Sequence, residues 1–207
     1  MSNPQSPIPN PQFPITKIPC VIFAGGKSSR MGRDKALLPF GGYETLAEYQ
    51  YDRLRKLFGS VHLSAKEKKF PFDAPLVRDV VGEEVFAPTA GLLAALQALR
   101  SDFFALSVDA PFVDERVVGK LYEVYETGDW DAVVARSPSG SHPMCAIYTL
   151  RIQPPLEAMV RDGSHRLQAL LREVRTGYVD FDDEAPFFNV NRPEEYEAAK
   201  KKAEGLS

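Results

Sequence analysis

The fold of this chain can be predicted from one stretch, Ile18-Pro-Cys-Val-Ile-Phe-Ala-Gly-Gly-Lys-Ser-Ser-Arg-Met-Gly-Arg-Asp-Lys35. It begins with a short apolar run, residues 18–24, which has a proline near its start and ends at two glycines. A run of this length without polar alternation is typical of a strand that is buried on both faces of a sheet. The glycine-rich continuation predicts a loop at the carboxyl end of that strand.

Outward from this stretch, apolar strands alternate with segments of helical periodicity. Further strands are predicted over 61–64, 75–77, 103–108, 132–135, 144–148 and 178–181, and helices over 44–58, 90–100, 114–127, 153–160, 166–174 and from residue 193 onward. Such alternation predicts right-handed crossovers that place helices on both faces of a mostly parallel sheet. The expected fold is a three-layer α/β domain over residues 18–203, preceded by a proline-rich N-terminal arm over residues 1–17.

Composition excludes several other classes of protein. The 207 residues are 44% hydrophobic and 26% charged, as in an average globular protein, which excludes a disordered or coiled-coil chain. The 25 Lys and Arg against 28 Asp and Glu give a net charge of −3, so we expect no nucleic acid partner. No apolar stretch approaches the ~20 residues that span a bilayer, so we expect no membrane partner. Cys20 and Cys145 lack the spacing of a zinc or redox site, which favours reduced thiols and a cytoplasmic location.

The loop after the first strand favours polyphosphate as its ligand. From Phe23 to Lys35, three glycines, two serines and four cationic side chains fall within thirteen residues. Glycines let backbone N–H groups approach phosphate oxygens, and Lys and Arg supply the compensating charge. Val21 stands where a Walker A motif requires glycine, and the absence of G-x-G-x-x-G disfavours a Rossmann dehydrogenase. A solvated glycine-rich turn is the alternative.

The segments Ala-Gly-Gly, Lys-Ser-Ser-Arg-Met-Gly and Asp34-Lys35 together resemble the signature loop of the nucleotidyltransferases with a Rossmann-like fold. The Asp-Lys ending looks most like the molybdenum cofactor guanylyltransferases. The resemblance implies GTP as a substrate and Mg²⁺ as a cofactor. It also implies that Lys35 and Arg30 hold the triphosphate. The residues at the start of the loop would contact the nucleotide, and these are Phe23, Ala24, Gly25 and Gly26.

A carboxylate follows the predicted strand 103–108, at Asp109. Ligands of open parallel sheets bind beyond the carboxyl ends of the strands. One Asp at that edge can bind Mg²⁺, which takes oxygen ligands and bridges phosphates. The resemblance assigns the metal to Asp109 and makes it catalytic together with Lys35 and Arg30. The alternative is that Asp109 caps a helix, a purpose that Asp114 could also serve.

Three positions are candidates for contact with the nucleoside. Asp79 follows the third predicted strand and could accept hydrogen bonds from guanine N1–H and N2–H2, with a turn residue as the alternative. Ser64 stands where many relatives have Asn, which could shift that contact to Ala65 and Lys66. Gly91 could let the start of a helix lie against the nucleoside, and a packing glycine is the alternative.

The C-terminal third contains Ser141-His-Pro143, Gly163-Ser-His-Arg166 and Asn189-Val-Asn191, which resemble segments of the same family. The Asn-x-Asn pattern places two amides on one side of an extended strand, where they could recognise the edge of a pterin. Asn189 and Asn191 are therefore candidates for pterin binding, and the resemblance adds His142 as a third. Asn191 could instead cap the helix that follows it, and a buried, hydrogen-bonded ring is a simpler role for His142 than proton transfer.

The resemblance implies transfer of GMP from GTP to the terminal phosphate of molybdenum-molybdopterin, with release of pyrophosphate, to form the guanine dinucleotide form of the molybdenum cofactor. The implied partners are GTP and molybdopterin, with molybdoenzymes or other cofactor-synthesis proteins as further candidates. A molybdopterin cytidylyltransferase, or another small-molecule nucleotidyltransferase of the same fold, is the enzyme alternative. A nucleotide-binding protein that delivers the cofactor without making it is the alternative from a different class.

Overall fold

The computed structural model of the protein describes residues 13–25, 33–78 and 88–205. The strands of this part of the chain are β1 (Cys20–Phe23), β2 (Val61–Ala65), β3 (Leu76–Arg78), β4 (Phe103–Ser107), β5 (Ala132–Ser137), β6 (Gly140–Tyr148) and β7 (Thr176–Asp180). Its helices are α1 (Leu46–Leu54), α2 (Pro88–Leu99), α3 (Glu115–Thr127), α4 (Gln153–Arg161), α5 (Leu167–Glu173) and α6 (Pro193–Glu204), with short 3₁₀ helices at Lys35–Leu37, Leu150–Ile152 and Ala185–Phe187. Each strand and helix predicted from the sequence is therefore present.

The strands form one sheet in the order β3-β2-β1-β4-β6-β5-β7. Strand β1 pairs in parallel with both β2 and β4, β2 pairs in parallel with β3, and β5 pairs in parallel with β7. Strand β6 is antiparallel to β4 and to β5. The mostly parallel sheet is therefore confirmed, and among its seven described strands only β6 is reversed.

Both faces of the sheet are covered by helices. Cys20 and Ile22 of β1 belong to the core shared with α1, α3 and α6, whereas Val21 and Phe23 belong to the core shared with α2, α4 and α5. Successive side chains of a strand point to opposite faces, so a strand covered on both sides has no polar position. This explains the uninterrupted apolar run of β1 and confirms the three-layer architecture. Among the described residues, no helix has the length and apolar character needed to cross a membrane.

The order of the strands places a crevice beside β1. From β1 the chain runs to β2 and β3 on one side, and then returns to add β4 on the other side of β1. At such a reversal the two connections leave in opposite directions, so the carboxyl ends of the two neighbouring strands open into a crevice where ligands bind. The segments that follow β1 and β4 therefore meet there.

Helix α1 is shorter than its sequence pattern predicts, because it ends at Leu54 and not near Gly59. The chain beyond it pairs with the N-terminal arm instead. The Ile15 N–H donates to the Leu57 carbonyl at 2.8 Å, and the Gly59 N–H donates to the Ile15 carbonyl at 2.8 Å. Ile15 is 2% exposed, so these backbone bonds anchor a core side chain. The prediction that the helix runs to Phe58 was wrong because periodicity cannot register this long-range pairing.

Candidate active site

Lys35 joins two other predicted site residues at the carboxyl edge of the sheet. It begins a 3₁₀ helix whose N-cap is Asp34, and Asp34 Oδ1 accepts from the Ala36 N–H at 3.0 Å. The Lys35 ammonium donates to a carboxylate oxygen of Asp109 and, at 3.0 Å, to Oδ1 of Asn191. The fold thus brings together residues from the loop after β1, the end of β4 and the segment before α6.

Asp109 has the surroundings of a site residue and not of a helix cap. The cap of α3 is Asp114, whose Oδ1 accepts from the Val117 N–H at 3.0 Å. The Asp109 carbonyl accepts from the Val190 N–H at 2.8 Å, which ties the end of β4 to the Asn-x-Asn segment. The helix-cap alternative for Asp109 is therefore wrong.

Gln50 of α1 stabilises the turn that carries Asp109. Gln50 is fully buried, and its Nε2 donates to the Ala110 carbonyl at 3.0 Å and to the Val108 carbonyl at 3.4 Å. Arg53, one turn later, donates to Oε1 of Gln50 and to the Val113 carbonyl. Buried carbonyl groups need donors, and these two side chains supply them on both sides of Asp109. Sequence reasoning missed both residues, since a helical pattern identifies apolar positions and not polar ones that turn inward.

Asn191 directs its side chain into the site and leaves the capping of α6 to another residue. Oε2 of Glu195 accepts from the Asn191 N–H at 2.7 Å and from the Arg192 N–H at 3.0 Å. The N-cap position of α6 belongs to Arg192. The capping alternative for Asn191 is therefore wrong, and its amide oxygen bonds to Lys35 instead.

The predicted pterin residues line one cavity next to Asp109. This cavity has a volume of about 320 Å³. Its lining includes Asp109, Ser141, His142, Phe187, Asn189 and Asn191. The fold therefore places all three pterin candidates on the same cavity as the candidate metal ligand.

His142 is fixed within this cavity by stacking and by a hydrogen bond. Its ring lies parallel to that of Phe187, with 4.3 Å between centroids and 6° between planes. Its Nε2 is 2.7 Å from Oγ of Ser137. Burial lowers the pKa of His142 from its ordinary value, and the negative charge of Glu184 opposes this shift only in part. The ring is therefore neutral at pH 7, which suits stacking and hydrogen bonding better than attraction of phosphate.

Gly91 packs the start of α2 against the ends of β1 and β2. A Cβ atom at Gly91 would lie 3.2 Å from the Phe23 ring and 3.7 Å from Oγ of Ser64. The packing role left open by the sequence is therefore present, and a nucleoside contact through Gly91 or Ser64 stays a prediction. Two residues earlier, Thr89 Oγ1 is 2.7 Å from Nδ1 of His165, which connects the segment 163–166 to the same helix end.

Two backbone groups at the start of the glycine-rich loop are already hydrogen-bonded within the sheet. The Phe23 carbonyl accepts from the Val108 N–H at 3.0 Å, and the Ala24 N–H donates to the Ser64 carbonyl at 3.0 Å. Gly25, the next residue, is exposed. Gly26, Arg30 and Asp79 lie outside the described residues. Their predicted roles stay predictions.

Asp109 is a carboxylate whose surroundings suit Mg²⁺. Within the described ranges, no three His, Cys, Asp or Glu side chains converge as a metal cluster. One carboxylate is enough for Mg²⁺, which keeps water ligands and takes the rest of its oxygens from substrate phosphates. Asp109 is 9% exposed and already holds a cation, the Lys35 ammonium. The carboxylate oxygen is the type of donor that a hard metal ion takes, and a metal bound here would replace the Lys35 ammonium.

Comparison with known proteins identifies the family. Residues 20–177 match the model of the MobA-like NTP transferase domain. The chain is 35% identical over 189 residues to the molybdenum cofactor guanylyltransferase of Campylobacter jejuni strain RM1221, covering 91% of this chain and 98% of that protein. It is 34% identical over 191 residues to the molybdenum cofactor guanylyltransferase of Helicobacter pylori strain J99, covering 89% of each.

Solved structures show the same fold. Molybdopterin-guanine dinucleotide biosynthesis protein A from Archaeoglobus fulgidus superposes with a TM-score of 0.79 at 21% identity, over 91% of this chain and 100% of that one. The 2-C-methyl-D-erythritol 4-phosphate cytidylyltransferase of Thermus thermophilus superposes with a TM-score of 0.65 at 16% identity, over 89% of this chain and 98% of that one. Because the family model matches residues 20–177, which include most of the sheet, this chain belongs to the MobA-like NTP transferase family and is a nucleotidyltransferase.

Proposed function

We propose that this enzyme transfers GMP from GTP to the terminal phosphate of molybdopterin carrying molybdenum, and releases pyrophosphate. One observation carries the proposal. Lys35 bonds at the same time to Asp109, the candidate metal ligand, and to Asn191, on the candidate pterin cavity. The groups proposed to hold a triphosphate and those proposed to hold a pterin therefore adjoin one another. The guanylyltransferases that the chain resembles at 35% identity support this choice of reaction.

The triphosphate would bind at the crevice between β1 and β4. Lys35 would donate to its oxygens, with Arg30 and the N–H groups after Ala24 as further donors. Donors that are positioned in advance stabilise the charge that develops during transfer. Asp109 would hold Mg²⁺, which when bound neutralises charge on the phosphates.

The reaction needs no covalent protein intermediate. An oxygen of the molybdopterin phosphate, already ionised, attacks the α-phosphorus of GTP and forms a new P–O bond. The bond from that phosphorus to the oxygen bridging the α- and β-phosphates breaks, and pyrophosphate leaves with the electron pair. No proton has to be abstracted from the attacking group, so the work of the chain is to align the two phosphates and stabilise charge.

The pterin would occupy the cavity of about 320 Å³. Asn189 and Asn191 offer amide donors and acceptors, which match the mixed edge of a pterin ring. The neutral His142 ring, stacked on Phe187, offers a flat partner of the same kind. Since Asp109 lines this cavity as well, we expect a pterin bound here to have its phosphate side toward Asp109.

The decisive experiment measures pyrophosphate release from GTP with and without molybdopterin. Release that depends on both substrates supports the proposal. GTP binding without any release favours the cofactor-delivery alternative. GTP and CTP supplied together, with analysis of the dinucleotide product, distinguish a guanylyltransferase from a cytidylyltransferase of the same fold.

A further inference from the structure

Lys69 joins the two ends of the segment that carries the phosphate-binding sequence. Its ammonium donates to the Ala24 carbonyl at 2.9 Å and to the Asp34 carboxylate. Ala24 comes immediately before residues 25–33, and Asp34 comes immediately after them. One side chain from the loop after β2 therefore bridges the two ends of that segment.

The surroundings of Lys69 differ from those of its neighbour Lys68. The Lys69 side chain is 18% exposed, and its ammonium lies 5.5 Å from the centroid of the Phe70 ring. The Lys68 side chain is 67% exposed and pairs at 3.4 Å with Asp73, which is 97% exposed. Charge-assisted hydrogen bonds are stronger where water is partly excluded, whereas exposed pairs contribute little. Of these two lysines, Lys69 is the one whose ammonium is held in a mostly buried position by fixed partners.

The bond from Lys69 reaches Lys35 through Asp34. One oxygen of the Asp34 carboxylate accepts from Lys69, and the other accepts from the Ala36 N–H at 3.0 Å, at the first turn of the 3₁₀ helix. That helix begins at Lys35. The orientation of the Lys35 backbone is thus fixed by a carboxylate that Lys69 holds.

Lys69 also neutralises a charge that would oppose the substrate. Asp34 directly precedes Lys35 in the chain, so we take its carboxylate to lie near the place proposed for a triphosphate. Like charges at short range repel strongly in a partly buried site. Paired with Lys69, Asp34 can cap the helix without presenting a free negative charge to the phosphates.

We propose that Lys69 is a positioning residue for nucleotide binding, which acts by fixing Asp34 and by cancelling its charge. Lys69 itself does not touch the triphosphate. This inference rests on the proposed function, since it takes the triphosphate to bind at Lys35. It predicts a specific pattern of rescue, because the harm done by removing Lys69 would come from Asp34.

The test compares GTP affinity among variants of the full chain, with methylanthraniloyl-GTP as the probe. Lys69→Met should weaken binding about tenfold or more, and Lys68→Met, the matched control, should leave it unchanged. Asp34→Asn keeps an oxygen for the Ala36 N–H but removes the charge. If the mechanism is right, adding Asp34→Asn to Lys69→Met restores most of the lost affinity. Lys69→Arg, which keeps the charge, should recover part of it.

Steady-state kinetics separate positioning from general damage. Lys69→Met should raise KM for GTP and leave KM for molybdopterin near its wild-type value. Affinity in Lys69→Met equal to that in Lys68→Met would overturn the proposal. So would losses that simply multiply in the double variant, since these would mean that Lys69 acts independently of Asp34.

Amide hydrogen exchange over residues 33–38 gives a readout that needs no substrate. Lys69→Met should speed exchange of the Ala36 amide, and Lys68→Met should not. Unchanged exchange in Lys69→Met would refute the link through Asp34, whether or not GTP binds. If wild type binds no GTP while exchange at Ala36 still responds to Lys69, the link stands and the proposed function fails.

Discussion

Lys35 and Asp109 are bonded to each other across the crevice, with side chains that are 20% and 12% exposed. Their proposed partners differ, since Lys35 is proposed to hold phosphate and Asp109 to hold Mg²⁺. Both charges are partly buried, and either one left unpaired would destabilise the folded protein. If the metal and the triphosphate bind as proposed, each of the two residues exchanges its partner, and we expect the two exchanges to compensate one another.

Replacement of Lys35 should abolish most of the activity. Lys35→Ala removes a donor that is positioned in advance, so turnover in the pyrophosphate-release assay should fall by roughly two to three powers of ten. Lys56→Ala is a suitable control, because the Lys56 side chain is 72% exposed. Retention of more than half of wild-type turnover in Lys35→Ala would contradict the role.

The same variant should gain affinity for a metal ion in the absence of nucleotide. Lys35→Ala leaves the buried Asp109 carboxylate without its ammonium partner, so Mn²⁺, measured by titration calorimetry, should bind about tenfold more tightly than to wild type. The gain should vanish in the double variant with Asp109→Asn. A gain that persists there would place the metal elsewhere.

Replacement of Asp109 should change the metal requirement. Asp109→Asn preserves the shape of the side chain but removes its charge, so activity should fall and be partly recovered at higher Mg²⁺. The measurement is the Mg²⁺ concentration that gives half-maximal pyrophosphate release. An unchanged requirement would show that Asp109 is structural.

Asn191 and Glu195 should separate substrate binding from stability. Asn191→Ala removes an amide from the cavity and should raise KM for molybdopterin with little change in melting temperature. Glu195→Gln weakens the cap of α6 and should lower the free energy of unfolding by about 1 kcal/mol with little change in that KM. Equal effects of the two variants on KM would argue against pterin binding by Asn191.

Asp79 should contribute to the choice of guanine. A site built to hydrogen-bond a base rejects analogues that leave its polar groups unpaired. Asp79→Ala should therefore narrow the GTP/ATP ratio of kcat/KM by about tenfold or more, or roughly 1.4 kcal/mol. Equal losses with both nucleotides would point to the ribose, and an unchanged ratio would refute base recognition by this residue.

Acidification should destabilise the protein partly through His142. Burial lowers the pKa of His142 in the folded state, so the unfolded chain binds the proton more readily. Stability is therefore lost as pH falls from 7.5 through the ordinary value toward 5.5. His142→Gln should lose less of its free energy of unfolding over that range, measured by urea denaturation at each pH.

His62→Gln is the control. Burial lowers the pKa of His62 as well, so this variant should show a similarly reduced loss of stability, but it should leave KM for molybdopterin unchanged. A full wild-type loss in His142→Gln would contradict this account.

The layers of the fold and the order of strands and helices along the chain could be predicted from the sequence alone. The apolar run of β1 could be interpreted as a buried strand because a strand covered on both faces has no polar positions. The glycine-rich loop and Asp109 could be placed because parallel strands bring their carboxyl ends to one edge. These are local patterns, so one stretch of chain contains all the information that they require.

The contacts between polar side chains depend on the whole folded chain. Asn191 bonds to Lys35 from 156 residues away, and Lys69 bonds to Ala24 and Asp34 across 45 and 35 residues. Gln50 lies on a helix whose pattern predicted its apolar face but not this buried amide. A polar side chain gives no periodic signal of its partner, because its place is fixed by the packing of apolar residues elsewhere in the sheet and helices. The strands and helices could therefore be predicted, whereas the hydrogen bonds that orient Lys35 and Asp109 could be found only in the folded chain.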